Sequence, residues 1–129
     1  MNLPVNALLF EHLRRIVGAQ RLLVGTEQLR PYECDALTLH KAMPRAVVLA
    51  ESEAEVCAVL SACDDLGVPV VPRGAGTGLS GGATPHPDGI VLSLARLDRI
   101  LALDAATCTA TVQPGVRNLA ISEAAAALG

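Results

Sequence analysis

Residues 72–82 read Pro72-Arg73-Gly74-Ala75-Gly76-Thr77-Gly78-Leu79-Ser80-Gly81-Gly82, and five of these eleven positions are glycine. An apolar run, Val68-Pro69-Val70-Val71, stands directly before them. A loop this rich in glycine adds nothing to a core, and glycine loses more backbone entropy on ordering than any other residue. A run of backbone N–H groups curled around an anion offsets that loss, because no Cβ holds the ligand away. Thr77 and Ser80 add hydroxyl donors to such a cradle. The plain alternative is a glycine-rich turn that binds nothing. It gives no reason for an Arg, a Thr and a Ser among five glycines between two apolar runs. The leading reading is a loop that holds phosphate.

Three phosphate loops compete for the stretch. The loop of nucleotide triphosphatases needs Lys-Ser or Lys-Thr after its last glycine. Here Gly81 is followed by Gly82-Ala83, with no lysine nearby. The dinucleotide fingerprint G-x-G-x-x-G is matched by Gly76, Gly78 and Gly81, with Asp98 about 20 residues further on. That fingerprint must open a helix, yet the next residues are Ala83-Thr84-Pro85-His86-Pro87-Asp88-Gly89. Two prolines and a turn signal leave no room for a crossover helix. The third kind binds pyrophosphate with no helix behind it, and it is the one that fits.

The elements that must position this loop follow from periodicity. Leu9, Leu13, Ile16 and Val17 recur at helical spacing, which predicts an amphipathic helix over 5–17 ending at Gly18. Arg21–Arg30 suggests a second short helical piece. Ala46–Ala50 reads as a strand. Ser52-Glu53-Ala54-Glu55 reads as a capping box, with Ser52 at the cap and Glu55 reaching back. Val56, Val59, Leu60, Cys63 and Leu66 then share a face, and Gly67 stops the helix. Val68–Val71 and Ile90–Leu94 are the next strands, and the first strand–helix–strand unit calls for a parallel pair. Ile100–Leu103 and Cys108–Val112 form a hairpin around Asp104-Ala105-Ala106-Thr107. Asn118–Leu128 is an alanine-rich helix, with Gly129 at its stop. The expected fold is α+β, α/β-like in character: a small, mostly parallel sheet with flanking helices plus a β-hairpin.

Composition sets further bounds. The chain has 129 residues, enough for one domain, and 51% are hydrophobic. With one Phe, one Tyr and no Trp, the core must be aliphatic, and base stacking on aromatics has no platform. A net charge of −3 with scattered basic residues leaves no footprint for nucleic acid. Cys34, Cys57, Cys63 and Cys108 form no C-x-x-C and pair with no histidine at ligand spacing. They read as reduced, mostly buried thiols, which suits the cytoplasm. No apolar run is long enough to span a membrane, and the N-terminus shows no secretory signal. His12, His40 and His86 have no nucleophile or acid at a recognisable spacing and read as surface or capping residues. No metal site is expected.

The stretch from Val70 to Gly82 closely resembles the pyrophosphate loop of the PCMH-type FAD-binding domain. Within that superfamily it is most similar to the FAD-linked 2-hydroxyacid oxidoreductases, the group that holds the D subunit of glycolate oxidase and the D-lactate dehydrogenases. The flanks agree: a strand at Pro44–Leu49, a helix at Glu53–Leu66, an aspartate in Tyr32-Glu33-Cys34-Asp35, and Gln113-Pro114-Gly115-Val116 after the hairpin. The likeness covers roughly residues 31–129.

The resemblance implies that amides from Arg73 to Gly82 bind the FAD pyrophosphate, so that Pro72, Arg73, Gly74, Ala75, Gly76, Thr77, Gly78, Leu79, Ser80, Gly81 and Gly82 form the cofactor site together with Pro114 and Gly115. Arg73 either contacts the phosphates or pairs with a nearby carboxylate. Gly115 either lets the backbone approach the flavin or simply turns the chain. Relatives with covalent flavin carry a histidine where Thr77 stands, so non-covalent FAD is implied. The implied activity is oxidation of a 2-hydroxyacid such as glycolate or D-lactate by hydride transfer to flavin N5, with catalytic groups supplied by later sequence and none assigned here. Residues 1–30 then form an N-terminal helical segment, and 31–129 the first subdomain, without the second subdomain or the substrate domain. The resemblance leaves room for partner oxidase subunits, and for membrane association through them. A second reading stays open: a truncated, inactive remnant with a folded but cofactor-free domain.

Overall fold

The computed structural model describes residues 5–128. Helix α1 (Val5–Val17) leads through a tight 3-10 turn, Ala19–Arg21, to strand β1 (Leu22–Leu23). The one-turn helix α2 (Thr26–Leu29) follows, then an irregular segment to strand β2 (Ala46–Leu49). Helix α3 (Glu53–Asp65) joins β2 to β3 (Val70–Arg73), and β4 (Ile90–Ser93) follows after a long loop. Strands β5 (Ile100–Asp104) and β6 (Thr109–Val112) form a separate antiparallel hairpin, and α4 (Asn118–Ala125) ends in a 3-10 turn, Ala126–Leu128. The glycine stop expected at Gly129 lies outside the described residues. No described helix is long and apolar enough to cross a membrane.

The main sheet has the order β1-β2-β4-β3. Strand β4 runs parallel to both β2 and β3, with Val91 opposite Val47 on one side and Val71 on the other, while β1 is antiparallel to β2. Two expectations change here. The β2–α3–β3 unit is parallel, but its strands are not neighbours, because β4 inserts between them. All four residues of β4 are buried, as a central strand of a parallel sheet requires, and that apolar run takes the centre. The stretch Arg21–Arg30 is not one helix: Leu22 and Leu23 pair with Val48 and Val47 instead. Two apolar residues beside an open sheet edge gain more from pairing than from a short isolated helix.

Alternate residues of each strand face opposite sides, and each side has its own cover. Ala46, Val48, Ile90 and Leu92 meet Leu9, Leu13 and Val17 of α1 and Val59 and Cys63 of α3. Val47 and Val91, on the other side, meet Leu29, with Tyr32 and Met43 packed against them. So α1 and β1 share one core with the central sheet. Leu60 does not join the α3 face and stays 45% exposed. It stands about 100° round the helix from Val59, past the edge of the buried stripe.

Local signals end α3 as expected. Ser52 accepts the Glu55 amide at 3.2 Å. The Glu55 carboxylate turns to the Glu51 amide at 2.8 Å rather than to that of Ser52. It also meets the Arg21 guanidinium in a two-pronged pair at 2.7 Å. At the far end Val68 N–H donates to Cys63 O and Gly67 N–H to Asp64 O, the two bonds of a Schellman stop. Val68 therefore belongs to this cap, and β3 starts two residues later than the apolar run suggested. All four cysteines are free, but Cys57 and Cys108 are exposed, contrary to the expectation of mostly buried thiols. Cys57 lies on the outer face of α3 and Cys108 in the hairpin turn. After Leu97 no described residue is buried.

Candidate functional site

Parallel neighbours need a crossover, usually a helix. Between β3 and β4 residues 74–89 contain no helix, so the glycine loop is itself the crossover. Its start is fixed by β3, where Pro72 is tolerated because the strand lies at the sheet edge. Its end is fixed by a tight turn in which His86 Nδ1 accepts the Asp88 amide at 3.0 Å, a capping role for that histidine.

A second segment holds the middle of the loop. Residues 33–42 close on themselves: Ala42 N–H donates to Glu33 O at 2.9 Å, and Lys41 Nζ meets the Glu33 carboxylate at 2.9 Å. The Lys41 ammonium keeps the Glu33 carboxyl below its ordinary range. From this segment Asp35 accepts the Gly81 amide at 2.7 Å, and Ala36 N–H donates to Gly78 O at 3.1 Å. Arg73 adds a third tie. Its guanidinium donates to Cys34 O at 2.7 Å and lies 5.5 Å from the Tyr32 ring centroid. Among the described residues no carboxylate lies within salt-bridge distance of Arg73, so the acid pairing left open in the sequence is not made.

The loop amides divide into two sets. Gly81 N–H is occupied by Asp35. The amides of residues 74–80 and 82 donate to nothing among the described residues, and most of these residues are exposed. The hydroxyls of Thr77 and Ser80 are also without partners there. Thr84 Oγ1, beside Gly81, is a buried hydroxyl oxygen with no hydrogen-bond partner. Added Cβ atoms at Gly74, Gly78 and Gly82 would point into open space.

Pro114 and Gly115 lie in the turn after β6 and line a cleft together with one residue of the loop, Ala75. That cleft, of about 680 Å³, is also lined by Asp98 and Arg117. Two segments some forty residues apart in sequence thus share one cavity. The reason for glycine at 115 is internal, however. A Cβ there would stand 2.7 Å from Leu94 O and from Ala95 O, and Gly115 N–H donates to Leu97 O at 2.8 Å. The turn is docked on the backbone that follows β4.

Residues 44–129 match the model of a family described as FAD binding domain. The chain belongs to that FAD-binding family. It is 49% identical over 114 residues to the glycolate oxidase subunit GlcD of Escherichia coli (strain K12), covering 88% of this chain and 23% of that protein. It is 37% identical over 101 residues to a D-lactate dehydrogenase of Anaerostipes hadrus, covering 78% of this chain and 21% of that one. The chain therefore spans less than a quarter of the curated relatives it matches. Among solved structures it superposes on p-cresol methylhydroxylase with substrate bound at a TM-score of 0.81 and 25% identity, covering 92% of this chain and 24% of that one. For 4-ethylphenol oxidase from Gulosibacter chungangensis the TM-score is 0.85 at 22% identity, covering 95% of this chain and 24% of that one. The α+β architecture, a small mostly parallel sheet plus a hairpin, is that of PCMH-type FAD-binding proteins.

The residues present fit FAD. Unpartnered amides and hydroxyls suit a pyrophosphate, and open space over three of the glycines admits it. Sequence reasoning placed Asp35 only as a feature that fits the family and passed over Tyr32 and Cys34. Their partners are the loop residues Gly81 and Arg73, and no local pattern announces such ties.

Proposed function

We propose that this chain is the pyrophosphate-binding part of a flavin-dependent oxidoreductase that oxidises a 2-hydroxyacid such as glycolate or D-lactate. The observation that carries the reading is the row of unpartnered amides from Gly74 to Ser80, beside the cleft that Pro114 and Gly115 share. Bound FAD supplies hydride acceptance at N5. This chain's residues bind and orient it: loop amides and the Thr77 and Ser80 hydroxyls solvate the two phosphates, and Arg73 ties the loop to the Cys34 carbonyl. The amide set is narrower than Arg73 to Gly82, because Gly81 is committed to Asp35. Thr77 offers no ring nitrogen for a flavin bond, so the cofactor is held non-covalently. Residues 31–129 serve as the first FAD subdomain behind the 1–30 segment, in a cytoplasmic protein that works with other oxidase subunits.

A cofactor-free remnant is the competing reading. Leu101 on the hairpin, Leu119 on α4 and Leu128 in the 3-10 turn after it are exposed. Apolar side chains exposed on these elements suit a face that packs against another surface, and so favour the flavoenzyme reading.

The test is a titration of the pure chain with FAD, followed by flavin fluorescence. Weak binding that Gly81→Val abolishes is expected, with no dye reduction by glycolate or D-lactate, since this chain supplies only part of the walls a flavin ring needs. Binding that Gly81→Val leaves untouched would remove the loop from the cofactor site.

A further inference from the structure

Asp35 and Ser93 are the buried polar residues of the described chain, and Asp35 is only 4% exposed. A carboxylate withdrawn from water usually needs a cation, yet none of the described ion pairs includes Asp35. Its two oxygens are satisfied by amides instead. Oδ1 accepts the Leu37 amide at 3.0 Å, a local turn that an asparagine would also make. Oδ2 accepts the Gly81 amide at 2.7 Å, across 46 positions of sequence. That second bond is short, as charge-assisted bonds are.

The neighbouring bond points the same way. Ala36 N–H draws the Gly78 carbonyl toward the 33–42 segment. The described chain has no cis peptide bonds, and a trans peptide sets its carbonyl and the following N–H on opposite sides. The Leu79 amide therefore faces away from Asp35, on the open side of the loop. Gly81 N–H, by contrast, is turned inward. Asp35 and Ala36 thus pin both ends of Gly78-Leu79-Ser80-Gly81 and decide which amides look outward.

We propose that Asp35 is a positioning residue for the pyrophosphate loop: it takes the Gly81 amide out of the cradle and, with the adjacent Ala36 amide that holds the Gly78 carbonyl, keeps the Leu79 amide aimed at the ligand. The inference rests on the FAD-loop reading above. It also goes beyond it, since it assigns opposite roles to two amides two residues apart.

The experiment is amide-resolved NMR of the ¹⁵N-labelled full chain, titrated with FAD, for the unaltered protein, Asp35→Ala and Asp35→Asn. In the unaltered chain the Gly81 amide should exchange slowly with solvent and hold its shift through the titration, while Leu79 and its neighbours move. In Asp35→Ala the Gly81 amide should lose its protection, and the folded chain should bind FAD about tenfold more weakly. Asparagine keeps one acceptor oxygen, so Asp35→Asn should fall between the two. If Asp35→Ala does not fold, Asp35→Asn against the unaltered chain decides. A merely structural aspartate would lower stability while leaving the affinity of the folded fraction unchanged, and that result overturns the proposal. So does a Gly81 amide that moves with FAD as far as Leu79 does in the unaltered chain. If no amide from Gly74 to Gly82 responds to FAD while Gly81 stays protected, the FAD-loop reading itself fails and takes the proposal with it.

Discussion

The Arg73 guanidinium lies across the open face of Gly76. A Cβ at residue 76 would overlap its Nη2 and Cζ and stand 2.8 Å from its Nε. The guanidinium is not free to swing aside, because it is tied to Cys34 O. Gly76 also has a φ of +73°, where side-chain-bearing residues are strained. The glycine here serves the loop's own anchoring as well as its ligand.

Gly76→Ala should therefore destabilise the fold by about 2–3 kcal/mol, the sum of a left-handed conformation and a displaced anchor. Gly78→Ala, at ordinary φ with open space for its Cβ, should stay within about 0.5 kcal/mol of the parent. Urea denaturation of the two variants side by side measures both. Equal midpoints would show that Arg73 does not hold the loop.

Gly115→Ala should lower stability by about 2–4 kcal/mol. The atoms its Cβ would meet are three backbone carbonyls, of Leu94, Ala95 and Leu97, which cannot rotate away. Thermal melting reads the loss. A variant that melts with the parent would mean that the turn is not docked.

Glu55 supplies a pH dependence with a defined sign. The side-chain hydrogen bond from Arg21 holds its carboxyl below the ordinary glutamate range. A depressed folded value gives stability that is complete above the unfolded pKa, about 4.3, and is lost as pH falls through the folded one. Glu55→Gln should be less stable than the parent by about 1 kcal/mol at pH 7. The gap should close as the pH drops below about 4. A gap that is constant down to pH 2.5 would remove the ion pair from the explanation.

Thiol reactivity should separate the cysteines. Burial pushes the Cys63 thiol up to about 11, while Cys57 and Cys108 are exposed. At pH 8 iodoacetamide should label Cys57 and Cys108 first and Cys63 only as the chain unfolds. Peptide mass spectrometry gives the order, and early labelling of Cys63 would place it outside the core.

Acid precipitation of the flavin-loaded protein should leave all the flavin in the supernatant. Flavin that stays with the pellet would contradict the reading of Thr77.

What could be read from order along the chain was whatever depends on near neighbours. Short continuous apolar runs marked β2 and β4, helical spacing marked α1, and Ser52 and Gly67 marked the ends of α3. Pro85 and Pro87 denied the glycine loop a helix. The loop itself, and Pro114 and Gly115, were legible because glycine and proline restrict or free the backbone wherever they stand. Tertiary structure decided the rest. It set β4 between β2 and β3, and it paired Leu22 and Leu23 with β2. Long-range pairing decided, too, that Glu55 would turn to Arg21, that Arg73 would bind carbonyls rather than a carboxylate, and that Gly81 would answer to Asp35. Each of those choices is a competition among partners far apart in sequence. Burial and hydrogen-bond satisfaction settle such a competition only when the whole chain has closed around them.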